Sequence, residues 1–184
     1  CPPLAEIDGY ALKMGIREFN KTGAWTLPVY IFTGVDLAVQ RHSAADETSI
    51  VTIAAYPNGM RQVLHVVSGR WTFDEIIAKI KEVYDNLRPA KIMVENVAAQ
   101  DYLVQHLGAT SDIPIVPHTT GKAKADPDIG IESIAANMAM GKWVIPSLDG
   151  TTRGIEDPQI SKLAEECLYY TPEKHTGDRL MALW

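Results

Sequence analysis

Val29-Tyr30-Ile31-Phe32-Thr33-Gly34-Val35-Asp36 is a run rich in β-branched and aromatic residues that ends on a carboxylate. Such residues fit a pleated, buried surface, so the run reads as a buried strand. An acid placed directly after it is costly unless it is paired, solvated or bound to a cation. Two further strands follow, Ser49 to Tyr56 (SIVTIAAY) and Met60 to Val67 (MRQVLHVV). Pro57-Asn58-Gly59 separates them, and Asn-Gly supplies the positive φ angles of a tight hairpin. The first half of the domain therefore reads as three antiparallel strands in sequence.

Beyond them the period changes from two to 3.6. Phe73, Ile76, Ile77, Ile80, Val83, Tyr84 and Leu87 recur at helical spacing and make one apolar face. Thr72 with Glu75 three residues on forms a capping box at its start, and Pro89 ends it. Lys91-Ile92-Met93-Val94 is a short buried strand followed directly by Glu95. A second helix is expected from about Ala98 to Leu107, stopping at Gly108. Ile113 to Val116 reads as a fifth strand. Helices follow at Ile131 to Gly141, at Pro158 to Leu168 and from Asp178 onward, with Trp143-Val144-Ile145-Pro146 as a proline-tolerant edge strand. This order predicts an α/β domain: a mixed central sheet of three antiparallel hairpin strands plus two parallel strands, flanked by helices. Residues 1–28 stand apart, with Ile7 to Phe19 compatible with a short helix or an irregular arm. They are equally compatible with a linker or a simple N-terminal extension.

Composition narrows the function classes. The chain has 184 residues, 46% of them hydrophobic, enough for one compact domain with a core of its own. Two cysteines, Cys1 and Cys167, are too few for a disulfide framework or a cysteine-based zinc site, and read as reduced thiols. No apolar run approaches the roughly 18 residues a membrane span needs. The net charge of −6 argues against coating nucleic acid by bulk charge. It leaves room for an enzyme that gathers carboxylates around metal ions. The first residue is Cys1, which reads as a fragment or a processed product.

Three acids stand where elements start or stop: Asp36, Glu95 and Asp178. If the first and fourth strands are adjacent and parallel, Asp36 and Glu95 project from the same sheet edge, where α/β sheets place ligands. Clustered carboxylates stay ionised together only with cations nearby, and hard ions such as Mg²⁺ or Mn²⁺ accept oxygen ligands. Taken singly, Asp36 also suits a strand-end turn, Glu95 a solvated acid and Asp178 a helix N-cap.

Three segments resemble a known family: FTGVDLAVQRHSAADETSIVTIAAYPNG, VENVAAQDYLVQHL and HTGDRLMALW. In this order they are similar to the nuclease domain of large terminase subunits of tailed bacteriophages, over a span from about Val29 to the chain's end. The resemblance implies an RNase H-like fold in residues 29–184. It implies a two-metal endonuclease, using Mg²⁺ or Mn²⁺, that cuts concatemeric viral double-stranded DNA during genome packaging in the cytoplasm of the infected bacterial host. Its catalytic, metal-holding acids would fall on Asp36, Glu95 and Asp178. His175, three residues before the last acid, matches a histidine some members carry and would move a proton. Asp46 is a further candidate metal ligand. Arg41, Lys122, Lys124 and Arg179 are candidate contacts to the DNA backbone, which position without reading sequence.

The same resemblance implies partners. Members carry an ATPase motor upstream, yet no GxxxxGK[ST] phosphate loop is found here, so residues 1–28 read as the connection to an absent motor domain. The portal and the small terminase subunit are implied as further partners, and no membrane. Two other readings stay open. One is a different RNase H-like nuclease, such as a junction resolvase or RNase H. The other is a non-catalytic DNA-binding or assembly module, which the negative charge suits as a protein-docking surface.

Overall fold

The computed structural model describes residues 16–17, 29–38, 47–95, 100–118, 126, 130–171 and 177–184. They form one seven-stranded mixed sheet. Its strands are β1 (Ile16–Arg17), β2 (Val29–Asp36), β3 (Thr48–Ala55), β4 (Arg61–Gly69), β5 (Lys91–Glu95), β6 (Ile115–His118) and β7 (Trp143–Val144). The spatial order is β6-β5-β2-β3-β4-β7, with the short β1 also pairing with β2. β2, β3 and β4 run antiparallel to their neighbours in sequence, whereas β5 is parallel to β2 and β6 to β5. This is the expected RNase H-like sheet, three hairpin-linked strands extended by two parallel ones, with β7 added at the β4 margin and β1 beside the start of β2.

Alternation along β2 decides the layers. Val29, Ile31, Thr33 and Val35 are buried on one face, and Tyr30, Phe32, Gly34 and Asp36 are less buried on the other. The first face carries α1 (Phe73–Leu87) and α2 (Gln100–Thr110). Their Ile76, Ile80, Leu103 and Leu107 share a core with Val35, Ile50, Ile92 and Val94. The second face carries α3 (Ile131–Ala139), α4 (Pro158–Leu168) and α5 (Asp178–Leu183), whose Ile134, Leu163 and Leu180 pack with Val51, Val63 and Val66. Both faces being covered explains why β3 is buried on both sides along most of its length.

Local chemistry mostly sets the element ends as the sequence suggests. Thr72 and Glu75 form the reciprocal capping box of α1, and Asp157 caps α4 with Pro158 in its first turn. Four elements differ from expectation. At the β3–β4 turn only Gly59 takes positive φ (81°), so Pro57-Asn58-Gly59 is a three-residue loop and not a two-residue turn with both φ positive. α2 runs through Gly108 to Thr110. Burial of Leu103 and Leu107 outweighs glycine's helix penalty, and the Thr110 and Ser111 hydroxyls donate to carbonyls of the last turn. β6 begins two residues later than expected and includes Pro117, which an edge strand accommodates. Within residues 1–28, Ile16 and Arg17 form a strand against Tyr30 and Val29, where a helix or irregular arm was anticipated.

Candidate functional site

β2 and β5 are paired in parallel through Val35 and Val94. Asp36 and Glu95 stand one residue further along each strand, at their carboxyl ends and on the same face. Neighbouring strands are about 4.8 Å apart, so the two carboxylates leave the sheet side by side. The next strand continues the row, because Glu95 is paired with His118 at the end of β6. Sequence reading passed over His118, since it ended that strand at Val116. The signal was there to find: an apolar strand closed by a potential ligand, as in GVD and MVE.

The face that carries these ends is the one α5 covers. α5 packs against β2 because Gly34 has no side chain: a Cβ there would collide with the backbone carbonyl of Ala182. Leu180, Met181, Ala182 and Leu183 are buried by this seating. A cavity of about 60 Å³ remains between sheet and helix, lined in part by Gly34, Glu95, His118 and Trp184. His118 meets the Trp184 ring edge-on at 5.5 Å.

Asp178 opens α5, and the helix seating brings it to the same end of the sheet. It is not the N-cap; Gly177 is, and without a side-chain cap. Instead, Asp178 Oδ2 accepts a hydrogen bond from the Glu47 amide at 2.9 Å. Glu47 directly precedes β3, two residues before Ser49, the register partner of Asp36. Asp36 and Glu95 are thus neighbours by strand register, and Asp178 is tied to the start of β3 at the same end of the sheet. Among the described residues no three Asp, Glu, His or Cys side chains already stand as a ligand set for one ion. The donor chemistry nevertheless fits a hard divalent cation, which one or two carboxylates hold together with waters and substrate phosphate oxygens. The Ser49 hydroxyl adds to the fit. It is fully buried on the Asp36 face and has no hydrogen-bond partner among the described residues, so an oxygen there is available to a hydrated ion.

Arg179 requires a correction. Expected as a contact to DNA phosphates, it is only 5% exposed. Its guanidinium is paired at 2.8 Å with both Glu47 and Glu166, and is bonded to Gln159 at 3.1 Å and to Ser68. A guanidinium enclosed and neutralised in this way is not presented to a nucleic acid. Burial works against ionising Glu47. The hydrogen bond and charge of Arg179, helped by Ser68 and Lys162, outweigh it and hold that carboxyl below the usual range. Asp46, His175, Arg41, Lys122 and Lys124 lie outside the described residues.

No protein-family model matches the chain, and no curated protein matches it by sequence. Solved structures do match. The large terminase nuclease of thermophilic phage G20c, crystallised with bound zinc, superimposes with a TM-score of 0.57 at 14% identity, covering 97% of this chain and 95% of that one. A second structure of that nuclease gives 0.53 at 14% identity, covering 96% and 94%. T. thermophilus RuvC in complex with a Holliday junction matches more loosely, at 0.43 and 15% identity over 72% of this chain and 87% of that one. At such identities the property shared is the fold. This chain has the RNase H-like fold found in the G20c large terminase nuclease, the same kind of domain that its three sequence segments resemble.

Proposed function

We propose that this chain is a divalent-metal-dependent endonuclease that hydrolyses phosphodiester bonds of double-stranded DNA, and that it serves as the nuclease domain of a bacteriophage large terminase. The reading is supported by Asp36 and Glu95 at the ends of two paired parallel strands and by the hydrogen bond from the Glu47 amide, at the start of β3, to Asp178. It is supported by likeness in fold to the G20c nuclease over nearly the whole chain. Asp36 and Glu95 would hold Mg²⁺ or Mn²⁺, with Asp178 completing the set and Asp46 as an auxiliary ligand. When bound, such ions lower the pKa of an attacking water and offset charge on the scissile phosphate.

The remaining tasks fall to the chain's own residues. Asp36 and Glu95, fixed on rigid strands, set where the phosphate must sit. His175 moves a proton to or from the reacting water or leaving oxygen. Arg41, Lys122 and Lys124 contact the DNA backbone, a role now withdrawn from Arg179. Residues 1–28 connect to an ATPase motor domain, and the portal and small terminase subunit are the further partners in packaging, inside the infected bacterial cell.

The test is nicking of supercoiled plasmid with Mn²⁺ or Mg²⁺, with and without chelator, and with Asp36→Asn. Cleavage should require the metal and vanish in the variant; cutting that survives both treatments refutes the reading. Plain duplex, a four-way junction and an RNA–DNA hybrid should be compared as substrates. A strong preference for the junction or the hybrid would redirect the assignment to a resolvase or an RNase H.

A further inference from the structure

We infer that Arg179 and Glu47 form a clamp that fixes the carboxylate of Asp178, making Arg179 a positioning residue for the metal site; this rests on the function proposed above. The contacts close a ring. Arg179 Nη2 holds Glu47 Oε2 at 2.8 Å, the Glu47 amide donates to Asp178 Oδ2 at 2.9 Å, and Asp178 is covalently joined to Arg179. The ion pair thus restrains the residue whose backbone amide orients Asp178.

A second anchor holds the other side of the same helical turn. Glu166 on α4 accepts from Arg179 Nη1 at 2.8 Å through one oxygen and from the Leu180 amide at 2.9 Å through the other. Gln159, also on α4, accepts from both Arg179 Nε and the Ser68 hydroxyl. The first turn of α5 is thus pinned to α4, to β4 and to the start of β3 through one side chain. Lysine carries the charge but cannot make this fork, because an ammonium lacks the planar, spread donors of a guanidinium. Residues that orient ligand groups in this way affect a metal site almost as the ligands themselves do.

The test uses Glu47→Gln and Arg179→Lys in the full chain, with folding checked by circular dichroism. Mn²⁺ binding is measured by calorimetry in the absence of DNA, and cleavage kinetics are measured separately. We expect Mn²⁺ affinity to fall about 10- to 100-fold in each variant. The kcat should fall while KM for plasmid changes little, and neither loss should exceed that of Asp178→Asn. Folded variants that bind Mn²⁺ as the unaltered protein does would overturn the clamp while leaving the proposed function standing. An unaltered protein that binds no Mn²⁺ and cuts nothing would remove the function and the clamp together. Should both variants unfold, amide exchange in the unaltered protein decides: the Glu47 amide must exchange as slowly as those inside β3, and free exchange overturns the inference.

Discussion

Replacing Gly34 by alanine tests whether the seating of α5 on β2 builds the site. The added methyl would meet a backbone carbonyl, that of Ala182, far inside the 3.4 Å at which ordinary contact begins. A flexible side chain could rotate away, but a helix carbonyl cannot, so α5 must withdraw as a body by on the order of 1 Å. Overpacking of this kind destabilises by about 1–3 kcal/mol. For a domain of this size each kcal/mol lowers the melting temperature by about 2–4 °C, so a fall of about 2–12 °C is expected. The same withdrawal carries Asp178 from the strand ends, and misplacement by about 1 Å can lower a rate about 100-fold. Gly34→Ala should therefore lose activity well beyond its loss of stability when assayed below its melting transition. Gly108→Ala is the matched control. A Cβ there meets nothing within 4 Å, and alanine in a helix interior is favoured by about 0.5–1 kcal/mol. Melting curves and plasmid nicking rates on both variants measure the effect. A Gly34→Ala protein that melts and cuts like the unaltered one would refute the idea that this close approach positions Asp178.

Further outcomes are expected. Asp36→Asn and Glu95→Gln should each remove metal-dependent cleavage while leaving the melting temperature unchanged or raised, since each relieves crowding of negative charge at the sheet margin; a large drop in melting temperature would assign these acids to the scaffold instead. Burial holds His65 below its ordinary value of 6.5, against the raising charges of Asp157 and Glu82 and with the help of Lys79. The unfolded chain then takes up the proton first as pH falls, so stability is whole above about pH 6.5 and declines from there through the lowered value. Denaturant titrations from pH 8 to pH 5 should show this decline, and His65→Gln should flatten it. Cys167, whose thiol is pushed up to about 12 by burial and the neighbouring Glu166, should resist alkylation at pH 8 until the protein is unfolded. Thr72→Ala, which breaks the capping box of α1, should lower stability by about 1 kcal/mol in thermal melts.

The sheet was legible because its strands carry their pattern locally. VYIFTGVD and KIMVE are apolar runs closed by acids, and the period-two burial of β2 follows from its own residues. That Asp36 and Glu95 share a margin needed only one topological step, a parallel pairing of β2 with β5. The rest of the site was hidden because it depends on contacts no single segment contains. Ser49 joins the site through the β2–β3 register. His118 joins through a strand whose sequence reads as ending two residues earlier, at Val116, whereas an edge strand continues through Pro117. Gly34 is one residue of a strand run in the sequence, and its use appears only once the Ala182 carbonyl lies on it.

Asp178 and Arg179 show why neighbouring residues can carry opposite assignments. Sequence adjacency suggested a shared task at the DNA-facing site, an acid for metal and a base for phosphate. In a helix, successive side chains are rotated by about 100°, so adjacent residues do not face the same way. With Asp178 turned to the sheet margin, Arg179 must point elsewhere, and it enters the junction of α4 with β3 and β4. Breaking a buried ion pair costs about 3–5 kcal/mol because the partner charge is left behind. Here one guanidinium balances two carboxylates, so its removal strands both. The cation beside the last acid is thus held too firmly by the protein's own interior to be shared with a ligand. On the proposed function, the positive charge that brings DNA to an acidic margin would have to come from divalent ions and from basic residues elsewhere in the chain.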